Sequence, residues 1–197
     1  MSRRTVAVVA LIGALFVPSI GHGQDAKPVR VLIETEAGEI EAEIDTVRAP
    51  ITAANFLKYV DAGLFDGGRF FRTVRPDNQV EKPVKIAVVQ AAASRDKRAQ
   101  FFPPIPLERT NVTGLSHKDG TLSMARSTPD TARDSFSICV GDQPALDFGG
   151  PRQPDGQGFA AFGRVTRGMD IVRKIQMGPA EGETLTPAVT ILRVKRQ

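Results

Sequence analysis

The chain carries a single cysteine, Cys139, among 197 residues, so no disulfide can close within it. A chain built this way must be held together by its apolar core. Cys139 lies in the apolar stretch Phe136-Ser137-Ile138-Cys139-Val140 and reads as a small buried core residue. Histidine occurs twice, as His22 and His117. So few sulfur and imidazole ligands leave no basis for a zinc site, and a Cys–His catalytic pair has no supporting motif. Dense lysine–arginine clusters are also missing. Half of the net charge of +4 comes from Arg3 and Arg4. A nucleic-acid partner is therefore not expected.

Long apolar runs are scarce as well. The only one is Val6 to Val17, 12 residues. A bilayer span needs roughly 20. The run follows Arg3-Arg4 and leads into Pro18 and the small-residue stretch Ser19-Ile20-Gly21-His22-Gly23. That order is expected of a secretory signal peptide over residues 1–23, cleaved near Gly23–Gln24. The remaining residues, 24–197, suit one domain with a sizeable core and no membrane insertion. The look of the signal suggests export to a periplasm.

Beyond the signal, short strands dominate. Val29, Val31 and Ile33 alternate with Arg30, Leu32 and Glu34, and Ile40, Ala42 and Ile44 alternate with glutamates. Two period-2 segments about Ala37-Gly38 predict an antiparallel hairpin with one face on a core. Pro50 and Gly63 punctuate a helix whose Phe56, Tyr59 and Val60 share a face. A shorter helix is predicted over Met169 to Gln176, with Ile171, Val172 and Ile175 inward. Further apolar runs lie at 69–74, 85–89, 120–124, 135–140, 159–165 and 189–194. Many short strands with two helices predict a closed antiparallel β-barrel capped by helices. The longest loops are 94–110 and 147–158, and loops of that length are functional or mobile. Within the second, Gly156-Gln157-Gly158-Phe159-Ala160-Ala161 fits a loose dinucleotide fingerprint but lacks the strand–helix context that motif needs.

Several pieces are more specific. One is Arg69-Phe70-Phe71-Arg72-Thr73-Val74-Arg75-Pro76, followed by Val88-Val89-Gln90. Another runs Asp119-Gly120-Thr121-Leu122-Ser123-Met124-Ala125-Arg126, then Asp134-Ser135-Phe136-Ser137-Ile138-Cys139-Val140. Ala145-Leu146-Asp147 and Gly158-Phe159-Ala160-Ala161-Phe162-Gly163-Arg164-Val165 complete it. In order and approximate spacing these resemble the cyclophilin family of peptidyl-prolyl cis–trans isomerases, from about Val29 to Val194. The resemblance implies an eight-stranded antiparallel barrel with two capping helices, no cofactor or metal, and a groove for proline-containing peptides or unfolded clients. A monomer is expected. It also implies roles. Arg72 matches the catalytic arginine and Gln90 the groove glutamine. Ala125 and Arg126 match the rail that holds the peptide backbone. Val88, Ser137, Leu146 and Phe159 fall around the proline pocket, while Phe162 and Met124 read as core.

Three departures bear on activity. Seventeen residues separate Arg72 from Gln90, which resembles an insertion of about ten residues over 73–89. Ser137 stands where the family places the phenylalanine of the pocket floor. Ala145 stands where some members carry a tryptophan, which implies weak cyclosporin binding. The insertion could supply a substitute wall. Reduced or retargeted catalysis follows from the lost floor, and a non-catalytic peptide-binding or chaperone module is the competing expectation.

Overall fold

The computed structural model describes residues 28–197; the expected signal peptide lies outside them. Nine strands form one antiparallel sheet: β1 (Val29–Thr35), β2 (Gly38–Ile44), β3 (Arg69–Val74), β4 (Val88–Ala92), β5 (Thr121–Met124), β6 (Ser135–Cys139), β7 (Ala160–Arg167), β8 (Ala180–Glu181) and β9 (Thr184–Arg196). The order β1-β2-β7-β5-β6-β4-β3-β9 closes on itself because β9 also pairs with β1. Closure removes free sheet edges, so eight strands make the barrel that the pattern predicts. The two-residue β8 only extends the β9 hairpin.

Helix α1 (Pro50–Asp61) lies against β7 and β9, and α3 (Met169–Gln176) against β2, β3 and β4. A single-turn helix, α2 (Thr110–Thr113), adds to the two expected. Pro50 starts α1, but its cap comes from far away. Glu108 accepts hydrogen bonds from the Ile51 and Thr52 N–H groups at 3.0 and 2.7 Å. A carboxylate there satisfies orphan donors and complements the helix dipole.

The barrel interior is apolar and aromatic. Phe56 of α1 meets Phe65, Phe136 and Phe162 with ring centroids 5.2, 5.3 and 5.2 Å away. Tyr59 packs on Phe101 and Phe102, and its hydroxyl accepts the Phe102 N–H at 3.1 Å. The long 94–110 loop is thereby pinned to α1 at Phe101 and Phe102. Burial, reinforced by the Asp134 charge, pushes the Tyr59 hydroxyl up to about 12.

Strand β4 begins at Val88, three residues later than the apolar run at 85 predicts. Ile86 is apolar for another reason. It belongs to a second, smaller cluster with Val74, Val88, Cys139 and Leu146, outside the main core. Cys139 is fully buried there. Burial first, and then the Asp147, Asp119 and Asp142 charges, push its thiol well above the usual range. The native protein is therefore expected not to react with a thiol-specific chromogenic reagent at neutral pH, and to release one equivalent when unfolded.

Candidate active site

A β-bulge makes the site. Along β3, Phe70 pairs with Ala91 and Arg72 pairs with the preceding residue of β4, Gln90, so Phe71 is an extra residue. Strict alternation would put Phe70 and Arg72 on one face. The bulge breaks that alternation. Phe70 stays fully buried in the core, and Arg72 emerges on the outer face, about one-third exposed. The register then runs from Arg72 to Gln90, Ser137 and Ser123, a row across β3, β4, β6 and β5. That row floors a cavity of about 540 Å³.

The Arg72 guanidinium is held from two sides. Its Nε and Nη2 donate to Glu183 Oε2 at 2.8 and 2.5 Å, and its Nη1 donates to Gln90 Oε1 at 2.8 Å. Gln90 is itself fixed, because its Nε2 donates to Ser135 Oγ at 3.0 Å and Ser135 Oγ donates to the Ala91 carbonyl at 2.8 Å. Gln90 therefore acts chiefly on Arg72, not as a free donor to a ligand. Glu183 reaches the site because its carbonyl accepts the Thr73 N–H at 2.9 Å, just before β9. It lies 111 residues from Arg72, and no local pattern in the chain announces it.

Each sequence-predicted site residue lines this cavity: Arg72, Val88, Gln90, Ala125, Arg126, Ser137, Leu146 and Phe159. The Arg126 side chain is fully buried although the residue as a whole is only partly so. What Arg126 offers the groove is thus backbone. Its guanidinium points away, donating to the Gly158 carbonyl at 2.8 Å and to both Asp155 oxygens at 2.8 and 2.9 Å, with its carbon 5.2 Å from the Phe159 ring centre. Gly158 has φ +65°, and a Cβ there would lie 2.6 Å from the Asp147 carbonyl. Only glycine brings the chain this close.

The pocket keeps an apolar side despite Ser137. Val88, Leu146, Phe159 and Ile86 surround it, and Pro83 and Val84 of the insertion add to its wall. The insertion is anchored by Gln79, which is 2 % exposed. Its Nε2 donates to the Arg75 and Ile86 carbonyls, both at 2.7 Å, and its Oε1 accepts the Ile86 N–H at 3.2 Å. Below the groove, buried His117 bridges Asp147 at 2.7 Å through Nδ1 and Ser123 at 2.8 Å through Nε2. This pairing ties the 147–158 loop to β5. Among the described residues no group of acidic, histidine and cysteine side chains could hold a metal.

The arginine–carboxylate clamp on the rail has a pH signature. The Arg126 hydrogen bonds, and then the Gln157 N–H, hold the Asp155 carboxyl at about 2. An unfolded aspartate titrates near ~3.9. Folding favours the ionised form, so the clamp is complete above about pH 4 and is lost as pH falls through about 2. Peptide affinity, followed by fluorescence anisotropy, is expected not to change through this pair between about pH 5 and 8 and to fall only in that acid window.

Together these features describe a closed antiparallel barrel with a cavity on its outer face and a held arginine at the edge of that cavity. The sequence comparisons place it further. The family described as cyclophilin type peptidyl-prolyl cis-trans isomerase/CLD matches residues 30–196. The chain is 34% identical over 184 residues to peptidyl-prolyl cis-trans isomerase A of Dickeya dadantii, covering 92% of this chain and 88% of that protein. It is 30% identical over 155 residues to peptidyl-prolyl cis-trans isomerase B of Escherichia coli, covering 78% and 87%. A cyclophilin type peptidyl-prolyl cis-trans isomerase of Cryptosporidium parvum has the same fold at 17% identity, with a TM-score of 0.67 over 86% of this chain and 98% of that one. The chain belongs to the cyclophilin-type peptidyl-prolyl cis–trans isomerase family.

Proposed function

We propose that this chain is a working isomerase of X–Pro bonds, acting as a monomer on exported proteins in the periplasm. One observation carries the enzymatic part. The bulge delivers Arg72 to the groove, and Glu183 and Gln90 fix it there while one N–H on Nη1 and one on Nη2 have no partner among the described residues. The N-terminal sequence supports the location, because a basic start, an apolar run of 12 and a small-residue exit are a secretory pattern.

The chemistry requires no bond to break. An X–Pro amide resists rotation by ~18–20 kcal/mol because the nitrogen lone pair is delocalised into the carbonyl. At the twisted state the nitrogen turns pyramidal and regains that lone pair. A fixed guanidinium donating to it binds the twisted state better than the planar one, which is what lowers a barrier. The fixed position of Arg72 in the cavity supports this role. Val88, Leu146, Phe159 and Ile86 would seat the proline ring, and the backbone of Ala125 and Arg126 would hold the flanking peptide. A homologous fold, the Cryptosporidium parvum protein, was solved in the presence of the dipeptide Ala-Pro.

Glu183 is a positioning residue in this scheme. Changing Glu183→Gln frees the guanidinium to rotate, and kcat is expected to fall on the order of tenfold. KM should hardly move, since the ring pocket is untouched, and Glu183→Asp should recover part of the loss. A purely structural role would instead lower thermal stability with kcat intact.

The second reading, a non-catalytic peptide-binding or chaperone module, draws on Ser137 in the pocket floor. A line-shape or exchange measurement on an Ala-Pro peptide separates the two. Cis–trans exchange that accelerates in proportion to protein concentration supports the enzyme. Binding of the peptide with no acceleration supports the module and ends the isomerase reading.

A further inference from the structure

The cations around the groove are not all matched. Arg72 is paired with Glu183, and Arg126 with Asp155. Two remain, Lys82 on the insertion and Arg152 on the facing 147–158 loop. Among the described residues neither has a carboxylate within ion-pair distance.

Arg152 is the built one. Its Nη1 donates to Gln79 Oε1 at 2.9 Å and to the Val84 carbonyl at 2.6 Å. Both acceptors are neutral. Gln79 is buried and locked by its own three hydrogen bonds, so the guanidinium is fixed to the insertion wall. The Nε and Nη2 groups carry no partner among the described residues, and Arg152 lines the same cavity as Arg72. Burial, with the like charge of Arg72 adding to it, disfavours the charged form of Arg152, and Glu183 opposes this only in part. A half-buried, preorganised and unneutralised guanidinium is a receptor for a carboxylate, since arginine presents planar paired donors.

We propose that Arg152, helped by Lys82, makes the groove selective for prolines that have an aspartate or glutamate side chain adjacent in sequence. The inference rests on the isomerase reading above and names its substrate class. Lys82 is exposed and no partner among the described residues fixes its ammonium, so its part is long-range attraction; Arg152 supplies the directed contact.

The test uses capped, otherwise uncharged peptides with Glu, Gln or Lys placed immediately before or immediately after one proline. Two-dimensional exchange spectroscopy reads the catalysed cis–trans rate for each. At low ionic strength the Glu peptide is expected to exceed its Gln counterpart on the order of fivefold at one of the two positions, with Lys below Gln. The ratio should shrink towards one in roughly 0.5 M salt. It should collapse in Arg152→Gln and survive in part in Arg152→Lys. Each variant is compared with its own Gln peptide, so a general loss of folded protein cancels. Equal catalysed rates for Glu, Gln and Lys at both positions overturn the acidic preference and leave the isomerase standing. A ratio unchanged in Arg152→Gln overturns the assignment to Arg152. No catalysis of any peptide, Gln included, overturns both readings together.

Discussion

Arg72→Ala is expected to lower kcat/KM on an Ala-Pro peptide by about a hundred- to a thousandfold, the usual consequence of deleting one preorganised donor at a transition state. The reason lies in what the alternatives cannot do. Among the cations around the groove, Arg126 turns its guanidinium away to Asp155 and Gly158, and Arg152 is tied to Gln79 and Val84. Neither can swing to the nitrogen that Arg72 is proposed to address without breaking the loop it holds, and Lys82 has no partner among the described residues to fix its ammonium there. Arg72→Lys should rescue little. It keeps the charge but loses the fork that lets Glu183 and Gln90 hold three donors from two sides while one N–H on each Nη is left over. Stability should change by less than about 1 kcal/mol, since Arg72 is one-third exposed and its ion pair with Glu183 is partly solvated. Stopped-flow isomerisation and a thermal melt on the same sample check both parts. A variant within threefold of the parent rate sinks the proposed role.

Phe56→Ala carries the largest expected loss of stability, about 3–5 kcal/mol. Phe56 is fully buried and touches three other rings, two tilted and one edge-on. Such ring pairs add about 0.5–1.5 kcal/mol each beyond simple burial. The cavity would open where α1 meets the barrel interior, and a closed barrel collapses poorly around a void. Domains of this kind are stable by about 5–15 kcal/mol in all, so the variant would lose a large fraction of its margin. Urea denaturation gives the difference directly, and Phe56→Leu should lose less. A loss under about 1 kcal/mol would mean that the interior repacks freely.

Much of this fold is legible in the amino-acid sequence. The period-2 alternation of Val29–Ile44, the Pro50 start of α1 and the Met169–Gln176 helix each rest on local rules, and the structure follows them. Phe162, Met124 and Cys139 are buried as their apolar settings imply. The spaced motifs from Arg69 to Val165 led to the family and to the residues that line the cavity. Strand β4 starts three residues after the apolar run because Ile86 is apolar for the sake of the groove wall, not of a strand. Periodicity cannot separate those two causes.

What the chain determined alone was therefore local: its alternations, its helix boundaries, its lack of disulfides and the ordered motifs that include Arg72. What tertiary structure decided was direction and partnership. A single extra residue, Phe71, turns Arg72 from the core face to the groove, and nothing in Arg69-Phe70-Phe71-Arg72 declares a bulge. Glu183 and Glu108 act on residues more than fifty positions away. The insertion becomes a wall because Gln79 finds Arg152 across the groove. These contacts depend on barrel closure bringing distant segments together, so no window of neighbouring residues contains them.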